Sequence, residues 1–164
     1  MEKHMTANFN TNEMERVPGF LFVDHIAIAV LKGELDAQVE AYQLMGFQEM
    51  HREEILGKDQ VRESLLRIGN SPNLIQLLEP LSDQSPVQKM IERGGGKGGL
   101  AHVGFRVKDI HAAFNHLKKE GFNIIDAAPR PGSRGTTVFF IHPKSRDQNP
   151  FGVLFEVVED PQDK

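Results

Sequence analysis

The chain has 164 residues, no cysteine and a formal net charge of -4 at neutral pH. That length buries one good core or two small similar ones, and without cysteine there is no disulfide framework, no thiolate nucleophile and no thiolate metal site, so any metal must be held by His, Asp, Glu or amide oxygen. Mild acidity argues against a nucleic-acid partner, leaving Lys118-Lys119 and Arg130 to Arg134 as basic patches for anion contacts, and no segment approaches the roughly 20 apolar residues of a membrane span, so a soluble cytoplasmic protein is expected.

Residues 1–19 read as a polar arm ending at "VPG". "FVDHIAIAV", Phe22 to Val30, alternates as a strand, with Ile26, Ile28 and Val30 on one face and Val23, His25, Ala27 and Ala29 on the other. A histidine thus stands among small residues where a core would want bulk. A helix is expected from about Leu35, with Leu35, Val39 and Tyr42 on one face and a stop at Gly46-Phe47, where glycine can take the left-handed conformation. Two strand-like runs follow, "QVRESLLRIG" and "NLIQLLEPL". "IERGGGKGG", Ile91 to Gly99, reads as a flexible join; it lacks the Lys-Ser/Thr ending and the strand-to-helix context of a phosphate loop.

The same series then recurs. "AHVGFRV" has Ala101, Val103, Phe105 and Val107 as its apolar face, with His102, Gly104 and Arg106 opposite. A helix follows from Ile110, capped by Asp109, buried through Ile110, Ala113, Phe114 and Leu117, and ending at Gly121-Phe122; "TTVFFIHP" and "GVLFEVVED" come after it. The chain therefore reads as one domain of α+β class over residues 20–160: two βαβββ modules, about 20–90 and 100–160, on either side of the linker.

His102 repeats the phase of His25, and the last strands carry a second matching pair, Gln76 and Glu156. Each taken singly suits a bland role: a hydrogen-bonded strand histidine, an edge-facing glutamine, a solvated carboxylate. Together, two imidazoles, an amide and a carboxylate buried on small-residue faces cost several kcal/mol each unless something pairs with them. A divalent cation would do so, and four such ligands leave two positions of an octahedron open for chemistry.

"DHIAIAV", "LLEPLSDQSPV", "GGLAHVGFRVKDI", "APRPGSRGTTVFFIHPKS" and "GVLFEVVE" resemble the vicinal oxygen chelate superfamily, the glyoxalase and bleomycin-resistance fold, and within it the methylmalonyl-CoA epimerase family. The resemblance runs from Phe22 to Glu159. It implies a cupped mixed sheet around one divalent metal (zinc, cobalt, nickel or manganese) held by His25, Gln76, His102 and Glu156, an acyl-CoA thioester as substrate, a homodimer, and acid-base roles for Glu63 and Glu156. The bland reading of Glu63 is a solvent-facing strand residue. The epimerases usually carry two adjacent histidines where this chain has Ala101-His102; "EEILGKDQ" and the Arg146 to Pro150 loop "RDQNP" also depart from their pattern.

His142 and Lys144 in "IHPKS" are candidates for the pocket mouth, where Lys144 would attract a carboxylate or phosphate; a plain turn fits them equally. His51, His111 and His116 read as solvated, and Ser64, Ser71 and Ser85 have no histidine-acid arrangement for nucleophilic hydrolysis. Two further readings stay open: a glyoxalase I-like lyase with a similar four-ligand site, and a non-catalytic ligand-sequestering resistance protein of the same fold.

Overall fold

The computed structural model describes residues 19–146 and 150–163; all but the last residue of the polar arm and the centre of the "RDQNP" loop lie outside them. The chain runs β1 (Phe20–Ala29), α1 (Leu35–Leu44), β2 (Phe47–Ile55), β3 (Val61–Ile68), β4 (Leu74–Pro80), α2 (Pro86–Arg93), β5 (Gly99–Val107), α3 (Ile110–Lys119), β6 (Arg130–Pro131), β7 (Thr137–Ile141) and β8 (Leu154–Glu159). The eight strands form one mixed sheet in the order β2-β3-β4-β1-β5-β8-β7-β6, a curled half-barrel. Its halves repeat. In each, the first strand pairs in parallel with the last, β1 with β4 and β5 with β8, and the last pairs antiparallel with the one before it. β1 and β5 join the halves antiparallel at the centre.

Helices α1 and α3 cover one face of the sheet. Leu35 and Val39 pack with Leu66 and Leu77, and Ile110, Ala113, Phe114 and Leu117 pack with Phe139 and Val157. Burial of an apolar side chain of this size contributes about 1.5–3 kcal/mol, so these rows fix the helices despite their short length. Their N-termini are held alike: Leu35 N donates to Glu79 Oε2 at 2.7 Å and Ile110 N to Glu159 Oε2 at 2.8 Å. Each carboxylate sits near the end of its module's last strand and meets the positive end of the helix dipole. Asp109 also caps α3, accepting from Ala112 N at 2.9 Å. Both helices stop at the expected glycines, Gly46 (φ 96°) and Gly121 (φ 80°).

Two local expectations give way. Ile91 to Arg93 belong to α2, started by Ser85, whose hydroxyl accepts from Val87 N, and by Pro86 in the first turn. Ile91 is buried against Ala27, Ala29 and Ala101, so the glycine turn begins only at Gly94. Ala101 leaves the row of Val103, Phe105 and Val107: Ala27 pairs with His102 and Ile28 with Leu100, making Ala101 the extra residue of a bulge that turns it toward Ala27 and Ala29. Among the described residues no helix is long and apolar enough to cross a membrane.

Candidate active site

On the concave face, two rows of residues cross the centre of the sheet. Gln76 on β4, Ala27 on β1 and His102 on β5 stand side by side; one step along, His25 on β1, Gly104 on β5 and Glu156 on β8 do the same. A small residue occupies the middle of each triplet, and the potential donors flank it. This is why a histidine stands among small residues: bulk at Ala27 or Gly104 would fill the space the donors surround. At Gly104 the constraint is severe, because a Cβ there would lie 2.3 Å from His25 Cε1 and 2.7 Å from its Nε2.

Three donor atoms converge. His25 Nε2 is 3.0 Å from His102 Nε2 and 2.8 Å from Glu156 Oε2, and His102 Nε2 is 3.1 Å from the same oxygen. Ligands about 2.1 Å from a common centre lie about 3.0 Å apart at neighbouring corners of an octahedron, so the triangle has the dimensions of one face of a metal's coordination shell. Gln76 Oε1 is buried and lacks a hydrogen-bond partner among the described residues, while its amide nitrogen donates to Glu63 Oε2 at 2.7 Å. An orphaned amide oxygen beside two imidazoles and a carboxylate is a donor set suited to a divalent cation.

The electrostatics separate the two carboxylates. Burial raises Glu63, fully enclosed in the fold, to about 7; the charges of Glu53 and Glu156 add to this, and hydrogen bonds from Ser133 and Gln76 only partly offset it. Burial would also raise Glu156, but hydrogen bonds from His102 and His25 override it and hold this group well below the usual carboxylate range. His25 is the counterpart: burial alone would lower it, yet the hydrogen bonds and charges of Asp24 and Glu156 bring it up to about 9. Burial lowers His102, and Glu156 only partly opposes the change.

Glu63, Gln76, His102 and Glu156 line one cavity of about 190 Å³, walled by apolar groups such as Val138 and Phe140. A larger cavity of about 620 Å³ shares Pro86, Val87, His102, Ile125 and Leu154 with it and extends to Arg93 and His142. Glu63 is therefore no solvated strand residue. Lys144 is exposed and lines neither cavity; its backbone N–H donates to His142 Nδ1 in the turn after β7. The cations of the Arg130 to Arg134 patch are engaged internally. Arg130 grips Asp59 at 3.1 Å through two nitrogens and Asp126 at 2.9 Å, and Arg134 reaches Asp24 at 3.3 Å. His51 is half-buried beside Glu53, 3.2 Å away, and His116 is half-buried; of the three histidines read as solvated, His111 alone is exposed.

Sequence reasoning missed Asp24, Arg106, Ser133 and Arg134. Asp24 is fully buried, with Oδ2 2.7 Å from His25 Nδ1, and its adjacency to His25 was the one available signal. Ser133 and Arg134 lie in a one-turn segment after β6, and nothing in the periodicity brings such a segment to the site.

A family model for the Glyoxalase/Bleomycin resistance protein/Dioxygenase superfamily matches residues 24–140. A mitochondrial methylmalonyl-CoA epimerase of Dictyostelium discoideum is 38% identical over 92 residues, 56% of this chain and 52% of that protein, so the match spans about half the length of that relative. A methylmalonyl-CoA epimerase structure from Mycobacterium tuberculosis shares 32% identity at a TM-score of 0.78, covering 97% of this chain and 95% of that one. A Streptomyces coelicolor methylmalonyl-CoA epimerase variant in complex with 2-nitronate-propionyl-CoA shares 33% identity at a TM-score of 0.75, covering 87% of this chain and 99% of that one. The chain belongs to the Glyoxalase/Bleomycin resistance protein/Dioxygenase superfamily and, within it, is similar to methylmalonyl-CoA epimerases.

Proposed function

We propose that this member of the superfamily epimerises methylmalonyl-CoA, or a closely similar acyl-CoA thioester, at the carbon between thioester and carboxylate. The observation that carries the reading is the pair of carboxylates on one cavity, Glu63 and Glu156, whose environments drive their acidities in opposite directions beside His25, His102 and the orphaned oxygen of Gln76. Two titratable groups pushed apart in this way mark a division of acid-base labour. A divalent cation held by His25, Gln76, His102 and Glu156 would supply Lewis-acid stabilisation of the negative charge that develops on the thioester oxygen.

Glu63, near 7, is ionised often enough to take the proton and holds it strongly enough to give it back, which is the balance general acid-base catalysis needs at neutral pH. Gln76 Nε2 fixes one carboxylate oxygen of Glu63 and so aims the group. Glu156 is assigned the opposite face of the planar carbon, where the second proton transfer of an inversion must occur. The imidazoles that hold it ionised make it a poor proton acceptor, so most of the proton handling falls to Glu63. Val138 and Phe140 keep the inner cavity apolar and limit water around the reacting carbon. Outward, the larger connected cavity offers room for a long substituent, with Arg93 and His142 at its wall.

The test is solvent deuterium incorporation into methylmalonyl-CoA by cobalt-loaded protein. The native chain should exchange the proton, and Glu63→Gln should lower the rate about 10²-fold, the usual worth of a positioned acid-base group. Absence of exchange by the native loaded protein would overturn the epimerase reading.

A further inference from the structure

Asp24 has no part in the donor set, yet it is fully buried directly behind it. Val23 pairs with Phe105 and His25 with Gly104, so Asp24 is the extra residue of a bulge in β1. A bulge re-aims side chains, and here two consecutive residues meet: Asp24 Oδ2 lies 2.7 Å from His25 Nδ1. The other ring nitrogen, Nε2, is the one that faces His102 and Glu156.

We propose that Asp24 is a positioning residue that keeps the proton of His25 on Nδ1, so that Nε2 presents its lone pair to a divalent cation. In the neutral ring a carboxylate on Nδ1 biases the tautomer toward Nδ1–H and away from a proton where the cation must bind, fixes the ring plane and raises the ligand's basicity. Asp24 is itself kept anionic and oriented. Arg106 Nε donates to its Oδ1 at 2.9 Å and the terminal nitrogen Nη2 to the same oxygen at 2.5 Å. Arg134 adds a contact to Oδ2 at 3.3 Å. Asp160, 3.4 Å from Arg106 Nη1, balances the charge of the cluster without touching His25. The two modules differ at this point, because Ala101 precedes His102 where Asp24 precedes His25.

The rival account is a purely structural ion cluster tying β1, β5, the loop after β6 and the end of β8 together. Asp160 separates the two, since it belongs to the same cluster but not to the ligand. The inference rests on the cation reading above and is independent of the choice of substrate. Cobalt affinity should be measured by calorimetric titration on folded protein. Asp24→Asn keeps size and removes charge, and should weaken binding 10- to 100-fold, the usual effect of removing a carboxylate behind a metal-bound histidine. Asp160→Asn should bind as the native chain does, even if it melts earlier. Equal loss in both variants, or none in Asp24→Asn, overturns the positioning role while leaving the cation reading intact. If the native chain binds no divalent ion, both fall. Should Asp24→Asn not fold, the zinc-loaded native protein decides: a slowly exchanging Nδ1–H resonance of His25 is expected in its proton-nitrogen spectrum, and zinc on Nδ1 would overturn the proposal.

Discussion

The two halves of the sheet share strand order, helix placement and even the carboxylate that meets each helix N-terminus, but they diverge on the concave face. Gln76 on β4 corresponds to Glu156 on β8, Asp24-His25 to Ala101-His102, and Ala27 to Gly104. Glu63 lies two residues before Leu65, the partner of Gln76, and the matching position two before Phe140, the partner of Glu156, is Val138. Apart from Asp59, which Arg130 holds, each module thus brings one carboxylate to the cavity, from a different strand. The first module's is raised by burial and stands off the donor cluster; the second module's is held ionised inside it. Repetition builds the cup, and the departures from repetition divide the chemistry.

Erasing those departures one at a time tests this division. The largest effect is expected from Glu156→Gln, which makes the second module copy the first at the ligand position. The donor set would lose its only anion, so cobalt binding should collapse and deuterium exchange should fall by about 10³-fold or more, within the range acid-base and electrostatic groups together command. Glu63→Gln should lose exchange yet keep cobalt. If both variants kept cobalt equally, the carboxylates would not be divided as described.

Gly104 against Ala27 comes next. In Gly104→Ala the new methyl would stand 2.6 Å from His25 Nδ1 and 2.3 Å from Cε1, so the ring must move. A displacement of about 1 Å at a reacting or ligating group costs on the order of 10²-fold, and cobalt affinity should fall accordingly. The reverse exchange, Ala27→Gly, removes a buried methyl and adds backbone freedom, for about 1 kcal/mol of stability; it should leave the donors in place. Unchanged cobalt binding in Gly104→Ala would break the account of why small residues flank the donors.

The sequence alone carries the repeat, the helix faces and the four candidate donor positions, because each leaves a periodic or paired signal: His25 with His102, Gln76 with Glu156, Gly46 with Gly121. What it hides is local irregularity. The bulges at Asp24 and Ala101 shift the side-chain alternation by one, which strict period-two reading cannot detect. Arg130 and Arg134 look like a free basic patch until the fold brings Asp59, Asp126 and Asp24 to them. The state of Glu63 was equally hidden, since only the closed cup puts Glu53, Ser133 and Gln76 around it.

Gln76→Glu makes the first module copy the second and should have an intermediate effect. A carboxylate would then stand within hydrogen-bond reach of Glu63, and two such groups in one buried site cannot both ionise freely. In the native protein, deuterium exchange should rise with pH through an ascending limb near 7, set by Glu63. In the variant that limb should move up by about one unit or more. A limb that stays in place would separate Glu63 from the rate.

The smallest effect concerns stability and involves no ligand. Glu63 stands at about 7 in the folded chain against an ordinary 4.5, so between these values the folded state binds more protons than the unfolded one. The contribution of Glu63 to the stability of the metal-free native protein must then decline as pH rises from about 4.5 to 7, and level off above. Glu63→Gln cannot ionise and still offers Gln76 an acceptor oxygen, so it escapes this loss. The two proteins should melt together below pH 4.5, and the variant should gain on the native chain up to about pH 7, by up to about 3 kcal/mol or several degrees. Calorimetric melting across that window reads the gap directly. A gap of the opposite sign would mean that the ionised carboxylate is stabilised where it stands, as Glu156 is in the second module, and the contrast between the two carboxylates would be lost.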